Sequence, residues 1–196
     1  MNATRPYSMT NRSARAEATR RRIAETAAAL FLEHAYADVT LAGIAEAAGV
    51  SHQTVLNHFE SKAGVVAGVA ELMEVQTTSA RSDGVEPGDV AGAVHALVGD
   101  YERIGDANAR WAAEGLDEIA DLLDRARASH QRWLATMFGA GLPPKGAARR
   151  RAINALHAAT DVYTWKLLRR DLRLTRGETE KTIIALVEGV LRGENP

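Results

Sequence analysis

From Ile23 onward the apolar residues of this chain recur at three- and four-residue spacing and do not alternate, and the alanine, leucine, glutamate and arginine between them favour helix. The pattern predicts an all-α protein of about nine helices with no strand. Ile23, Ala27, Leu30 and Phe31 form one face of a first helix, which the stretch HAYADVT interrupts. Thr40 is placed to cap a short second helix, LAGIAEAA, which stops at Gly49, the residue type suited to a left-handed C-terminal position. Ser51 caps a third helix, HQTVLNHF. Ser61 repeats the pattern for a fourth, from about Lys62 into the region of Thr77 to Arg81, which the breaker cluster SDGVEPGD ends. Beyond it the periodicity predicts helices over about 89–104, 108–116, 117–138, 147–172 and 178–191. The third of these carries its stripe at Ile119, Leu122, Leu123, Ala126, Trp133, Leu134 and Met137. The last carries Ile183, Ile184, Val187, Val190 and Leu191.

Charge divides the chain unevenly. There are 24 Lys and Arg against 25 Asp and Glu overall, but residues 1–22 hold six arginines against one glutamate. That segment is too polar to build a core and reads as a basic arm, suited to a polyanion or simply solvated. It is followed by a helix-turn-helix segment over 23–66 and a helical domain over 67–196. With 46% hydrophobic residues and no cysteine, the chain can bury a core without disulfides, and thiolate metal sites and a cysteine nucleophile are excluded. No apolar run approaches the length of a membrane span, so no membrane partner and a cytoplasmic location are expected. No glycine-rich phosphate loop, nucleophile motif or metal-ligand spacing occurs, so we expect no enzyme, catalytic residue, metal or cofactor.

The two short helices meeting at Gly49-Val50, with the small residues Ala45 and Ala48 in the first, meet the requirement of a helix-turn-helix for close crossing at a tight turn. In HQTVLNHF, Val55 and Phe59 lie four apart and face a core, while Gln53 and Asn57 lie four apart on another face without an evident core role. Gln and Asn bond an adenine edge bidentately, and Ser51, Thr54, His52 and His58 carry groups for phosphates or bases. Lys62 adds a cation beside the helix N-terminal amides near Ser61. Two glycines of the fourth helix, Gly64 and Gly68, serve a close helix contact, a bend, or nothing beyond tolerated exposure.

The stretch from Ile23 to Val69, RIAETAAALF…VTLAGIAEAAGVSHQTVLNHFESKAGV, resembles the N-terminal domain of the TetR family of transcriptional regulators. The segment ATDVYTWKLLRRDLRLTRGETEKTIIALVEGVL is similar to the last two helices of some members. The resemblance implies a homodimer whose recognition helices enter successive major grooves of a palindromic operator, and a repressor that a small-molecule effector releases from double-stranded DNA. It assigns Gln53, Asn57 and His52 to bases, and Thr40, Ser51, Thr54, His58 and Lys62 to phosphates. Arg20, Arg21 and Arg22 reach a phosphate or the flanking minor groove. His95, Tyr101, Trp111, His130, Trp133 and His157 are the candidates to line an effector cavity, or else satisfied core residues. Tyr163, Trp165, Leu168, Ile184, Val187 and Leu191 are candidates for the dimer interface, with the core as the other role of Tyr163 and Trp165. Two positions depart from the family pattern. Leu56 stands where a phosphate-binding tyrosine is usual and is expected to extend the apolar face. Ala35 stands where glycine is usual, implying a different chain exit from the first helix. The alternative reading is a helical ligand-binding or adaptor protein without operator binding.

Overall fold

The computed structural model describes residues 6–114 and 117–193; for 6–11, 78–80, 82 and 118 it describes the backbone alone. The chain divides into two compact units, Met1–Met73 and Glu74–Pro196. Among the described residues every regular element is helical: α1 (Pro6–Glu33), a 3-10 turn (Tyr36–Asp38), α2 (Leu41–Ala47), α3 (His52–Phe59), α4 (Lys62–Ser82), α5 (Val90–Glu114), α6 (Asp117–Met137), a 3-10 turn (Gly139–Gly141), α7 (Gly146–Thr160), α8 (Val162–Lys166) and α9 (Arg176–Leu191). A π-helical turn, Leu167–Asp171, continues α8. None of these helices is long and apolar enough to cross a membrane.

In the first unit, Ile23, Ala24, Ala27 and Phe31 of α1 are buried, as are Tyr36, Val39, Ile44, Ala45, Val55, Phe59, Val65, Val66 and Val69. The expected arm differs from the structure over most of its length. Residues 6–22 continue α1 toward the N-terminus, and residues 1–5 lie outside the described residues. Arginine is a good helix former, and once Ile23 to Phe31 are packed, extending their helix toward the N-terminus needs no new nucleus. Helix α4 runs through position 66, and the first unit ends at Met73.

In the second unit, Ala93, Val94, Leu97, Val98 and Tyr101 of α5 pack with Leu134, Met137 and Phe138, with Leu156 of α7, with Trp165 and Leu168, and with Ile183 and Val187 of α9. Two predicted boundaries move. The helices expected over 89–104 and 108–116 are one helix, α5. Gly105 does not break it, and a Cβ there would come within 2.5 Å of Trp165 Cζ3, so the glycine is where the indole lies against the helix. The helix expected over 147–172 instead divides at Asp161, whose backbone is extended (ψ 152°) and whose carboxylate accepts the Tyr163 N–H at 2.8 Å. An aspartate that caps a new helix in this way competes with continuing the old one, and the apolar period runs through it without a signal.

Candidate nucleic-acid interface

Thr40 and Ser51 cap α2 and α3 through their side-chain oxygens, which accept from Gly43 N–H (3.0 Å) and Thr54 N–H (3.1 Å). Between the helices, Val50 N–H bonds the Ala45 carbonyl and Gly49 N–H the Glu46 carbonyl, with Gly49 at φ 64°. These two bonds make a Schellman turn, which a left-handed glycine closes at least cost. The turn and the Ser51 cap therefore fix where α3 starts and which way it leaves. Ala35 has φ −64° and ψ 152°, a conformation open to any L-residue, so its departure from glycine carries no strain.

On α3, Val55 and Phe59 are buried and Gln53 and Asn57 exposed, as the spacing predicts. The two exposed amides are joined, Gln53 Nε2 donating to Asn57 Oδ1 at 2.9 Å, a bond that uses neither the Asn57 NH₂ nor the Gln53 carbonyl oxygen. His52 is exposed on the first turn, Thr54 is half-buried and bonded to Ser51 Oγ at 2.8 Å, and Leu56 is half-buried. The end of α3 is tightly constrained. Glu60 has φ 63° and ψ −38°, and Ser61 N–H bonds the Phe59 carbonyl at 2.6 Å, so the chain makes a γ-turn into α4. Ser61 Oγ then accepts from Gly64 N–H. A Cβ on Gly64 would overlap the Phe59 carbonyl oxygen, and one on Gly68 would lie 2.5 Å from Phe59 Cε1. Of the readings open for this glycine pair, the close helix contact is the one the geometry carries.

The cations divide differently from the sequence assignment. Lys62 Nζ donates to the Tyr36 carbonyl and lies over the Tyr36 ring, 4.0 Å from its centroid. Arg20 donates to the His58 carbonyl at 2.6 Å and covers the Phe59 ring at 4.4 Å. Both are directed at the protein, a use the sequence could not signal because neither partner is near in the chain. Arg21 pairs with Glu25 one turn on, which raises its already high pKa, and Arg22 is exposed. The His58 ring is half-buried against Phe59, with centroids 6.4 Å apart.

Residues 23–69 match the family model of the bacterial regulatory proteins of the tetR family. Solved structures match over nearly the whole chain. A tetR-family transcriptional regulator from Streptomyces coelicolor aligns with a TM-score of 0.70 at 18% identity, over 91% of this chain and 84% of its own. NalD, the secondary repressor of the MexAB-OprM multidrug efflux pump in Pseudomonas aeruginosa, aligns with a TM-score of 0.59 at 26% identity, over 91% and 96%. SmeT in a complex with triclosan aligns with a TM-score of 0.60 at 18% identity, over 90% and 91%. The chain has the TetR-family fold. No curated protein sequence matches it.

In the second unit, four of the six candidate effector residues come together. The Arg81 guanidinium, buried, bonds Asp100 Oδ2 at 2.8 and 3.1 Å and His130 Nδ1 at 3.3 Å, and lies 5.1 Å from the Tyr101 ring and 5.7 Å from that of Trp133. His130 stacks on Trp133 (5.6 Å) and meets His157 edge-on (5.0 Å). Thr160 Oγ1 donates to the Leu156 carbonyl at 2.7 Å, so it accepts from His130 Nε2–H at 2.8 Å, and His130 Nδ1 is left to accept from Arg81. Burial, then the Arg81 and His157 charges, hold the His130 pKa down at about 3, so its imidazole is neutral. Burial likewise raises the Tyr101 phenol to about 12, and its hydroxyl donates to the Thr160 carbonyl. Burial pushes the Asp161 carboxyl up, but bonds from His157 and Tyr163 N–H outweigh it and hold it below the ordinary range. Trp133 Nε1 and His157 Nδ1 are buried without a hydrogen-bond partner. His95 is elsewhere, exposed in an open cleft of about 260 Å³ with Arg176 and Arg103 and paired with Glu180 at 3.2 Å. Trp111 is half-buried ten residues beyond Tyr101 on α5, roughly 15 Å along the helix.

The candidate interface residues separate by burial. Trp165 and Val187 have no exposed surface and Leu168 is 7% exposed, while Ile184 and Leu191 are half-buried and pack against the same core. Tyr163 is exposed, together with Leu167, Leu172 and Leu186. The break at Asp161 and the π turn after it reset the facing of the residues that follow on α8, whereas on α9 Ile183, Ile184, Val187, Val190 and Leu191 keep the core-facing stripe that their spacing predicts.

Proposed function

We propose that this chain is a sequence-specific DNA-binding transcriptional regulator that works as a homodimer on a palindromic operator and is a repressor released by a small-molecule effector. The observation that carries the reading is the α2–α3 arrangement: a Schellman turn and serine cap fix a helix that turns Val55 and Phe59 inward and the joined amides of Gln53 and Asn57 outward, within the segment that matches the tetR family model. Gln53 and Asn57, with His52, then read bases; Ser51, Thr54, Thr40, His58, Arg21 and Arg22 serve phosphates, which set register without carrying sequence information. Lys62 and Arg20, held against Tyr36 and Phe59, have a smaller part in this than their charge suggests.

The proposed dimer interface is the exposed apolar set Tyr163, Leu167, Leu172 and Leu186. The proposed effector contacts are Tyr101, His130, Trp133 and His157, where two buried polar nitrogens lack partners and aromatic faces surround them. The repressor description of NalD and the triclosan complex of SmeT support an effector-responsive reading. An effector needs only unequal affinity for the DNA-competent and DNA-incompetent states.

Selection of bound duplexes from a random pool by the purified protein, at two salt concentrations, tests the proposal. Enrichment of a palindrome with half-site centres about one helical turn, roughly 34–36 Å, or an integral number of turns apart, with binding that weakens as salt rises, is the expected result. A folded dimer that enriches no sequence would favour an adaptor protein, with Leu56 in place of tyrosine as the first position to revert.

A further inference from the structure

The last carbonyls of a helix lack partners within it, and an end packed against other elements must find donors there. At the end of α3 the Leu56 carbonyl takes the Glu60 N–H and the Phe59 carbonyl takes the Ser61 N–H. The His58 carbonyl takes the guanidinium of Arg20, which comes from α1, 38 residues earlier, at 2.6 Å. The flat face of the same group covers the Phe59 ring at 4.4 Å, and its Nη2 lies 3.7 Å from Glu71 on α4. Phe59 in turn rests against Gly68 of α4, with no room for a Cβ between them. One side chain therefore joins three helices at the point where α3 ends.

We infer that Arg20 is a positioning residue for the recognition helix: by bonding the His58 carbonyl and covering Phe59 it sets the angle at which Gln53 and Asn57 are presented. The inference rests on the DNA-binding reading above. Asn57 directly precedes His58 on an eight-residue helix, so a tilt at this end moves Asn57 first, and bidentate contacts tolerate displacements of only about 0.5 Å or 10–20°. Arginine suits the position because its planar fork donates in plane while its face stacks on an aromatic ring; an ammonium offers a point charge without that face. A cation at a helix C-terminus also meets the favourable end of the helix dipole.

The test compares Arg20→Ala and Arg20→Lys with the wild-type protein, on the duplex enriched by wild type and on a scrambled duplex, over a range of salt and well below each variant's melting temperature. Both substitutions are expected to weaken binding to the selected duplex at least tenfold, to narrow the preference for it over the scrambled one, and to leave the slope of log affinity against log salt unchanged. A direct phosphate contact would behave otherwise: Arg20→Lys would bind nearly as wild type, and Arg20→Ala would lose affinity equally on both duplexes with the slope reduced by nearly one unit, which overturns the inference. Unchanged binding by Arg20→Ala overturns it as well. Should Arg20→Ala not fold, Arg20→Lys carries the comparison; should neither fold, the residue serves stability alone and the positioning role fails. A wild-type protein that enriches no duplex overturns the DNA-binding reading itself, an outcome visible before any variant is made.

Discussion

Gln53 and Asn57 show how a single turn of helix can make two polar side chains one reading group. Each amide satisfies part of the other, so loss of one both removes its own base contact and frees the other to rotate. Gln53→Ala is expected to cost about 1–3 kcal/mol on the selected operator and to relax preference at one base pair, measured by repeating the selection with the variant. His130 gives a prediction of a different kind. Its folded pKa, about 3, lies below the ordinary histidine value of about 6.5, so between those limits the unfolded chain binds a proton that the folded one refuses. Stability is then present above about pH 6.5 and lost as pH falls toward 3. Melting temperature should drop through that window, and His130→Gln should flatten the drop. The exposure of Gln53 and Asn57 was legible in spacing alone, because on a short helix the faces follow from 3.6 residues per turn. The inward use of Arg20 and Lys62 was not, because charge says nothing about which carbonyl or ring lies nearby.

At the scale of elements, glycine decides two packings in opposite ways from its usual cost. A Gly→Ala change inside a helix ordinarily gains up to about 1 kcal/mol, and Gly189 of α9, with no atom within 4 Å of the place a methyl group would take, should follow that rule. Gly64 should reverse it. Its Cβ would meet a backbone carbonyl that cannot swing aside, so Gly64→Ala is expected to cost about 1–3 kcal/mol, read as a lower melting temperature than both wild type and Gly189→Ala. The same logic explains why α5 is continuous. Gly105 looks like a break in sequence, but it is the site of Trp165, whose Nε1–H bonds Glu102 at 3.2 Å while Arg170 covers its ring at 4.6 Å and bonds Asp106. Caps by contrast were readable: Thr40, Ser51 and Ser61 all accept the amide three residues on, as a local side-chain interaction requires no distant partner.

At the scale of the molecule, the proposed dimer places a demand on four exposed apolar side chains, Tyr163, Leu167, Leu172 and Leu186. Leu172→Glu together with Leu186→Glu should shift the protein toward monomer in sedimentation without lowering the melting temperature of the subunit, and operator affinity should fall with it, since each half-site would then be bound alone. The equivalent change at Val187 would fail to fold instead, because that residue has no exposed surface. The sequence by itself determined the all-helical class, the two short helices with their caps and left-handed glycine, and the outward pair on α3. These follow from periodicity and from interactions within a few residues, which are properties of a local stretch of chain. Only the tertiary structure decided which cations turn inward, which glycines mark contacts, and where the helix after Thr160 divides. Each of those depends on a partner that the chain brings close from dozens of residues away, and burial against that partner outweighs the local preference that the sequence displays.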